Sequence, residues 1–155
     1  MGNRELRLVI SGTYSTGKTT TATALSIATG LPLIDALSAR EILTDLYPGR
    51  RFQDMSSTEL MALGLKRFEE RIRTEGILYK EHGSFLSDGS VLNEWIYGTV
   101  RMRVGINPGS AFIHRLMKSI LGLPGRTFFK KYLTAYGVVS KNHAKLWYTD
   151  VVHLP

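Results

Sequence analysis

Residues 12 to 19 carry the clearest chemistry in the chain. Gly12-Thr13-Tyr14-Ser15-Thr16-Gly17-Lys18-Thr19 has the spacing G-x-x-x-x-G-K-[ST], the P-loop motif. Each fixed position has a physical purpose. Gly12 and Gly17 permit backbone angles that turn several N–H groups inward, and these form a nest for an anion. The free N–H groups at the start of the next helix continue that nest. Lys18 brings a positive charge to the β- and γ-phosphates of a bound nucleotide, and the Thr19 hydroxyl is a ligand for Mg²⁺. Residues 12–20, Thr20 included, are therefore the expected nucleotide-binding segment.

Such a loop needs an acidic partner near the metal, usually at the end of a neighbouring strand. Asp88, after the apolar Phe85-Leu86, is the first candidate and is expected to share the metal with Thr19. Asp35, after Leu33-Ile34, is the second. It is placed to accept a proton from an attacking hydroxyl, at the sheet edge where ligands bind in open α/β folds. Lys18, Asp35 and Asp88 are thus the expected catalytic residues, with either Asp35 or Asp88 assisting the hydroxyl. Downstream, Glu94, Tyr97 and Arg101 are three and four residues apart and share a helix face, so Glu94 and Arg101 become candidate contacts for a polar acceptor. The four histidines, His82, His114, His143 and His153, show no metal-binding spacing, and there is no cysteine.

The elements that must hold these residues can be read from the pattern. Leu6–Ile10 reads as a short buried strand, and a helix is expected from Lys18 to about Thr29, with Gly30 at its end. Leu33-Ile34 is a second strand, and Ser38–Leu46 a helix that stops before Pro48-Gly49. Ser56 and Glu59 have capping-box spacing, which opens a long helix reaching Glu81 with an apolar face of Leu60, Met61, Leu65, Phe68 and Ile72. Residues 84–88 form a third strand and Ser90 to about Val104 a helix. Asn107-Pro108-Gly109 is a turn, residues 110–121 and 127–136 are helical, and Gly122–Gly125 breaks them apart. Residues 145–154 contain a fourth strand. Strands alternating with helices imply a three-layer α/β fold on a parallel sheet, in one domain spanning residues 1–155. Residues 105–144 read as a basic helical insertion within it.

Charge is unevenly spread along the 155 residues. The net charge is +7, yet residues 95–149 carry nine Lys/Arg and no Asp or Glu. That stretch points to an anionic partner. No apolar run reaches the roughly 18–20 residues of a membrane span, and no signal peptide opens the chain, so a cytoplasmic location is expected. No N-K-x-D signature for guanine occurs.

Beyond the P-loop, GTYSTGKTTTATALSIATGLP, SAREIL, ELMALGLKRFEERI and FLSDGS together resemble the AAA-type ATPase/kinase family that includes nicotinamide riboside kinase domains. SDGSVLNEWIYGTVR looks like the same stretch of actinobacterial ATP/GTP-binding proteins, and WYTDVVHLP resembles the family's fourth strand. The resemblance implies a P-loop NTPase fold, Mg²⁺-assisted phosphoryl transfer from ATP or another NTP to a small hydroxyl acceptor, and an acceptor-side role for the pair Arg40-Glu41. The sequence departs from the family in two places. Kinase members carry a Glu shortly before that pair, where this chain reads DALSARE with only Asp35 near. They also continue past the fourth strand into an Arg-bearing lid, a fifth strand and a last helix, so this chain reads as truncated there. Arg126, Lys130 and Lys131 are candidate substitutes for the lid's cations. The leading expectation is a small-molecule kinase acting on a nucleoside-like or secondary-metabolite hydroxyl. The alternatives are an NTP-hydrolysing ATPase, or a nucleotide-binding module that docks on nucleic acid or anionic membrane through residues 95–149.

Overall fold

The computed structural model describes residues 5–13, 15–104 and 123–155. It contains β1 (Arg7–Gly12), α1 (Lys18–Thr29), β2 (Leu33–Ile34), α2 (Ala39–Leu46), a 3₁₀ turn (Phe52–Asp54), α3 (Ser57–His82), β3 (Phe85–Asp88), α4 (Val91–Val104), α5 (Leu123–Trp147) and β4 (Asp150–Leu154). The four strands form one parallel sheet in the order β2-β3-β1-β4. The α/β class expected from the sequence is the observed one.

The order of the strands fixes the layers. The β1-to-β2 crossover runs one way across the sheet, and the β2-to-β3 and β3-to-β4 crossovers run the other way. Right-handed connections therefore put α1 on one face and α3, α4 and α5 on the opposite one. The packing agrees: α1 lies on β1, β2 and β3, whereas α3, α4 and α5 pack against one another. Ile10, Ala22 and Leu86 form the buried cluster beneath α1, and Ile42, Leu43, Met55 and Leu63 form a second one between α2 and α3.

The structure corrects several boundaries. β1 runs on to Gly12, so the strand delivers the first P-loop glycine directly. α5 starts at Leu123, with Pro124 in its first turn where its missing N–H costs nothing, and continues to Trp147. Lys145–Trp147 is therefore helix, and the fourth strand begins only at Asp150. On α3, Leu65 is exposed and Leu63 is buried, the reverse of the expected face. The 26-residue helix is covered on two sides, which a single-stripe reading misses. Leu60 and Leu63 meet α2, while the Met61 and Gly64 carbonyls accept from Tyr132 and Tyr136 of α5 at 3.2 and 3.5 Å. The turn at 107–109 and the helix expected over 110–121 lie outside the described residues, as does residue 14. Of the expected insertion, residues 123–144 belong to α5.

Two contacts hold α5 in place. Gly137 is obligatory, because a Cβ there would lie 2.5 Å from the Trp95 indole of α4. Deeper, the fully buried Glu75 of α3 accepts from the Tyr148 hydroxyl at 2.8 Å and lies 3.0 Å from His143 Nε2. The Tyr148 oxygen in turn accepts from the Val91 N–H at 3.4 Å, which ties the start of α4 to the same network. Burial and the adjacent Glu75 carboxylate push the Tyr148 phenol well above its ordinary pKa. It stays a neutral donor to that carboxylate.

Candidate functional site

The site is built where β1 and β3 end side by side. Ile10 and Asp88 are register partners, and the Gly89 N–H donates to the Ile10 carbonyl at 2.9 Å. Gly12 has no room for a side chain, since a Cβ would stand 2.8 Å from Thr16 Oγ1 and 2.9 Å from the Leu154 carbonyl oxygen. The loop then turns through Ser15, at φ 61°, and Gly17, at φ 80°. Gly17 is the N-cap of α1. No side chain caps the helix there, and its first turn holds no acid. The N–H groups of that turn and the positive end of the helix dipole are left for an anionic ligand.

The other helix starts of this region are closed. At α2, Ser38 Oγ accepts from the Glu41 N–H at 3.3 Å and the Glu41 carboxylate accepts from the Ser38 N–H at 2.7 Å. Ser56 and Glu59 make the same capping box at α3, at 3.2 and 2.6 Å. At α4, Asn93 Oδ1 accepts from the Ser90 N–H at 3.0 Å and Ser90 Oγ from the Leu92 N–H at 3.2 Å.

The side chains of the loop converge on one cleft. The Lys18 amine folds back to donate to the Thr13 carbonyl, which the Thr16 hydroxyl also reaches at 3.0 Å. Thr19 Oγ1 donates to Asp88 Oδ2 at 2.5 Å. A cleft of about 410 Å³ is lined by Ser15, Gly17, Lys18, Thr19, Thr20, Asp88 and Tyr97. Hydroxyl and carboxylate oxygens at contact distance are the hard donors that Mg²⁺ prefers, and Mg²⁺ takes only one or two carboxylates alongside phosphate and water oxygens. The pair Thr19–Asp88 therefore fits that ion. Among the described residues, no group of three or more His, Asp or Glu offers an all-protein cage instead.

Asp88 is held by a brace that the sequence did not announce. Arg71 of α3 donates from Nη1 to Ser87 Oγ at 2.8 Å and to the Gly89 carbonyl at 3.3 Å, and from Nη2 to the Asp88 carbonyl at 3.4 Å. One guanidinium thus fastens three successive residues of the turn that carries the carboxylate. An arginine among many on a charged helix gives no sequence signal of this kind; only the tertiary contact identifies it.

The remaining candidates are distributed around the cleft. Asp35 is exposed, one residue past the Ile34–Ser87 register pair, so it stands at the same sheet edge as Asp88. Arg40 is exposed on α2, and the Glu41 carboxylate serves its own helix start, which holds its pKa below the usual carboxylate range through the Ser38 side-chain and backbone bonds. Glu94 is turned toward α3, where Arg67 Nη2 lies 2.5 Å from its Oε1. Tyr97, on the same helix, lines the cleft. The helix face expected to gather Glu94, Tyr97 and Arg101 is thus divided between two surroundings, with the Arg101 side chain outside the described part. Asp35, Arg40, Glu41 and Glu94 are not among the described residues that line the cleft. Lys130 and Lys131 stand exposed on α5 and do not line it either, while the Arg126 side chain is outside the described part.

A family model described as an AAA domain matches residues 7–109. The chain belongs to this AAA family. The match spans β1, the loop, Asp88 and all of α4, so the described residues that line the cleft all lie within it. As a P-loop domain of this type it binds nucleotide and works by hydrolysis or transfer of its phosphate. Nothing in the match singles out the nicotinamide riboside kinases. No curated protein matches the chain. Among the described residues, no helix is long and apolar enough to cross a membrane.

Proposed function

We propose that this AAA domain transfers the terminal phosphoryl group of ATP, or of another nucleoside triphosphate, to a hydroxyl of a nucleoside-like or secondary-metabolite acceptor. The observation that supports it best is the Thr19–Asp88 contact of 2.5 Å, set in the same cleft as Lys18 and Tyr97. The triphosphate lies against the open start of α1, where backbone N–H groups and the Lys18 amine neutralise its β- and γ-phosphates. Thr19 and Asp88 would hold Mg²⁺, which when bound draws charge from the phosphate oxygens. The acceptor hydroxyl attacks in line. A new O–P bond forms, the bond to the β,γ-bridging oxygen breaks, and the nucleoside diphosphate leaves. The hydroxyl proton passes to the exposed carboxylate of Asp35, since Asp88 is engaged with Thr19. Arg40 and Arg101 are assigned to the acceptor side, and positioning supplies most of the rate, because the transferred group needs little help beyond orientation and charge.

Hydrolysis is the second reading, and the family match is equally compatible with it. The test is to incubate the full chain with Mg²⁺ and ATP, with and without a panel of nucleosides that includes nicotinamide riboside. ADP and phosphorylated product are followed by mass spectrometry. Equal amounts of both, formed only with an acceptor, support transfer. ADP released at the same rate without any acceptor makes the domain a hydrolase and rejects the kinase reading.

A further inference from the structure

The solvent side of α5 has a pattern that the nucleotide site does not use. Phe128, Val139 and Leu146 are 62%, 52% and 71% exposed, and Ala135 is exposed between them. At about 100° per residue, these four positions fall within about 40° of one another around the helix axis and extend along about 27 Å of it. Val138, 66% exposed, lies beside them. The buried Leu133, Tyr136 and Ser140 lie about 80–140° round the helix from it, so the stripe is not the core face of the helix.

The charge alongside is of one sign. Lys131 and Lys145 border the stripe on one flank, and Lys130 and Lys141 lie farther round, all four exposed. Lys141 rests over the Trp95 ring at 4.5 Å. No Asp or Glu occurs anywhere from Leu123 to Trp147. An exposed apolar ridge beside lysines and without acids is the composition of a helix that lies in a membrane interface.

We infer that α5 docks the domain on an anionic lipid surface, with the apolar stripe entering the headgroup–acyl boundary and the flanking lysines reaching the lipid phosphates. The chemistry favours this occupant over two others. A second copy of the chain would set two acid-free lysine helices face to face, with no carboxylate on either to offset them. A nucleic acid would satisfy the lysines and press Phe128 and Leu146 against a phosphate backbone. A lipid surface satisfies both features, because long lysine side chains reach outward while their helix sinks. The inference concerns a face outside the nucleotide cleft and is independent of which phosphoryl chemistry occurs there.

The test is co-sedimentation of the full chain with vesicles of phosphatidylcholine alone and of phosphatidylcholine with about one quarter phosphatidylserine. Duplex DNA and single-stranded RNA of matched charge serve as competitors. Binding is expected to be at least about tenfold tighter to the anionic vesicles and to weaken as salt is raised. The pair Phe128→Ser with Leu146→Ser and the pair Lys131→Glu with Lys145→Glu are each expected to weaken it by about tenfold or more. Both pairs are on the surface and should keep the wild-type circular dichroism and ATP affinity. Four results would overturn the inference: no preference for anionic vesicles, a serine pair that binds like wild type, displacement from vesicles by nucleic acid, or a lipid-free dimer that the same substitutions dissolve.

Discussion

Helices α1 and α3 begin in opposite ways. Ser56 and Glu59 close α3 by exchanging hydrogen bonds, which satisfies N–H groups that the helix cannot satisfy itself. Helix α1 begins at a left-handed Gly17, with no side-chain cap and no acid in its first turn. Its sequence, KTTTATALSIAT, is also rich in poor helix formers. The closed start contributes stability locally. The open start forgoes that contribution and leaves N–H groups and a positive dipole end for a ligand. Function here is read from an interaction withheld: three helix starts are sealed by their own side chains, and the one at the P-loop is not.

The largest expected effect comes from removing the acid opposite the open start. Asp88→Asn keeps the shape of the turn but removes the charge, and phosphoryl transfer or hydrolysis should fall by about 10²–10³-fold, with nucleotide affinity in the absence of Mg²⁺ little changed. Steady-state kinetics across a Mg²⁺ series would check this.

Closing α1 should come next. Thr20 occupies the helix position that Glu41 and Glu59 hold in α2 and α3. Thr20→Glu should weaken ATP binding by about 100-fold while leaving the melting temperature unchanged or higher, because an acid near a helix start is stabilising. Titration calorimetry and thermal melts on one variant separate the two effects. A variant that binds ATP normally would break the comparison.

Opening α3 should do the converse on a smaller scale. Ser56→Ala removes the cap and should lower Tm by about 2–4 °C with ATP affinity unchanged. The smallest effect is in the acid limb of stability. The Ser56 backbone and side-chain bonds, helped by Arg50, hold the Glu59 carboxyl below its usual pKa. A depressed native pKa gives stabilisation that is full above the unfolded value of about 4.3 and lost as pH falls through the native value. Glu59→Gln should therefore lower Tm slightly at neutral pH and flatten its fall in that window, so that variant and wild type converge in acid.

Much of this comparison is legible in the sequence, because it rests on local chemistry. The capping pair Ser56/Glu59 and the motif from Gly12 to Thr19 are short-range patterns, and the strand ends at Asp35 and Asp88 follow from apolar runs that stop at a carboxylate. What the sequence hides depends on contacts between distant elements. Arg71 resembles its neighbours on α3 until Ser87 and Gly89 are seen to accept from it. Glu94 and Tyr97 share a helix face by spacing, yet Arg67 claims the first and the cleft the second. Leu63 replaces Leu65 in the core because two layers, not one, cover α3. The length of α5 was obscured by Gly125 and Pro124, which are tolerated within its first turn.

The central claim is that the open start of α1 holds the phosphates of a nucleotide. Its most direct test is titration of ATP with Mg²⁺ into the wild-type chain and into Lys18→Ala. Saturable one-to-one binding to the wild type, weakened by at least about tenfold in the variant, is the predicted result. Equal affinity in both proteins would contradict the assignment of the site.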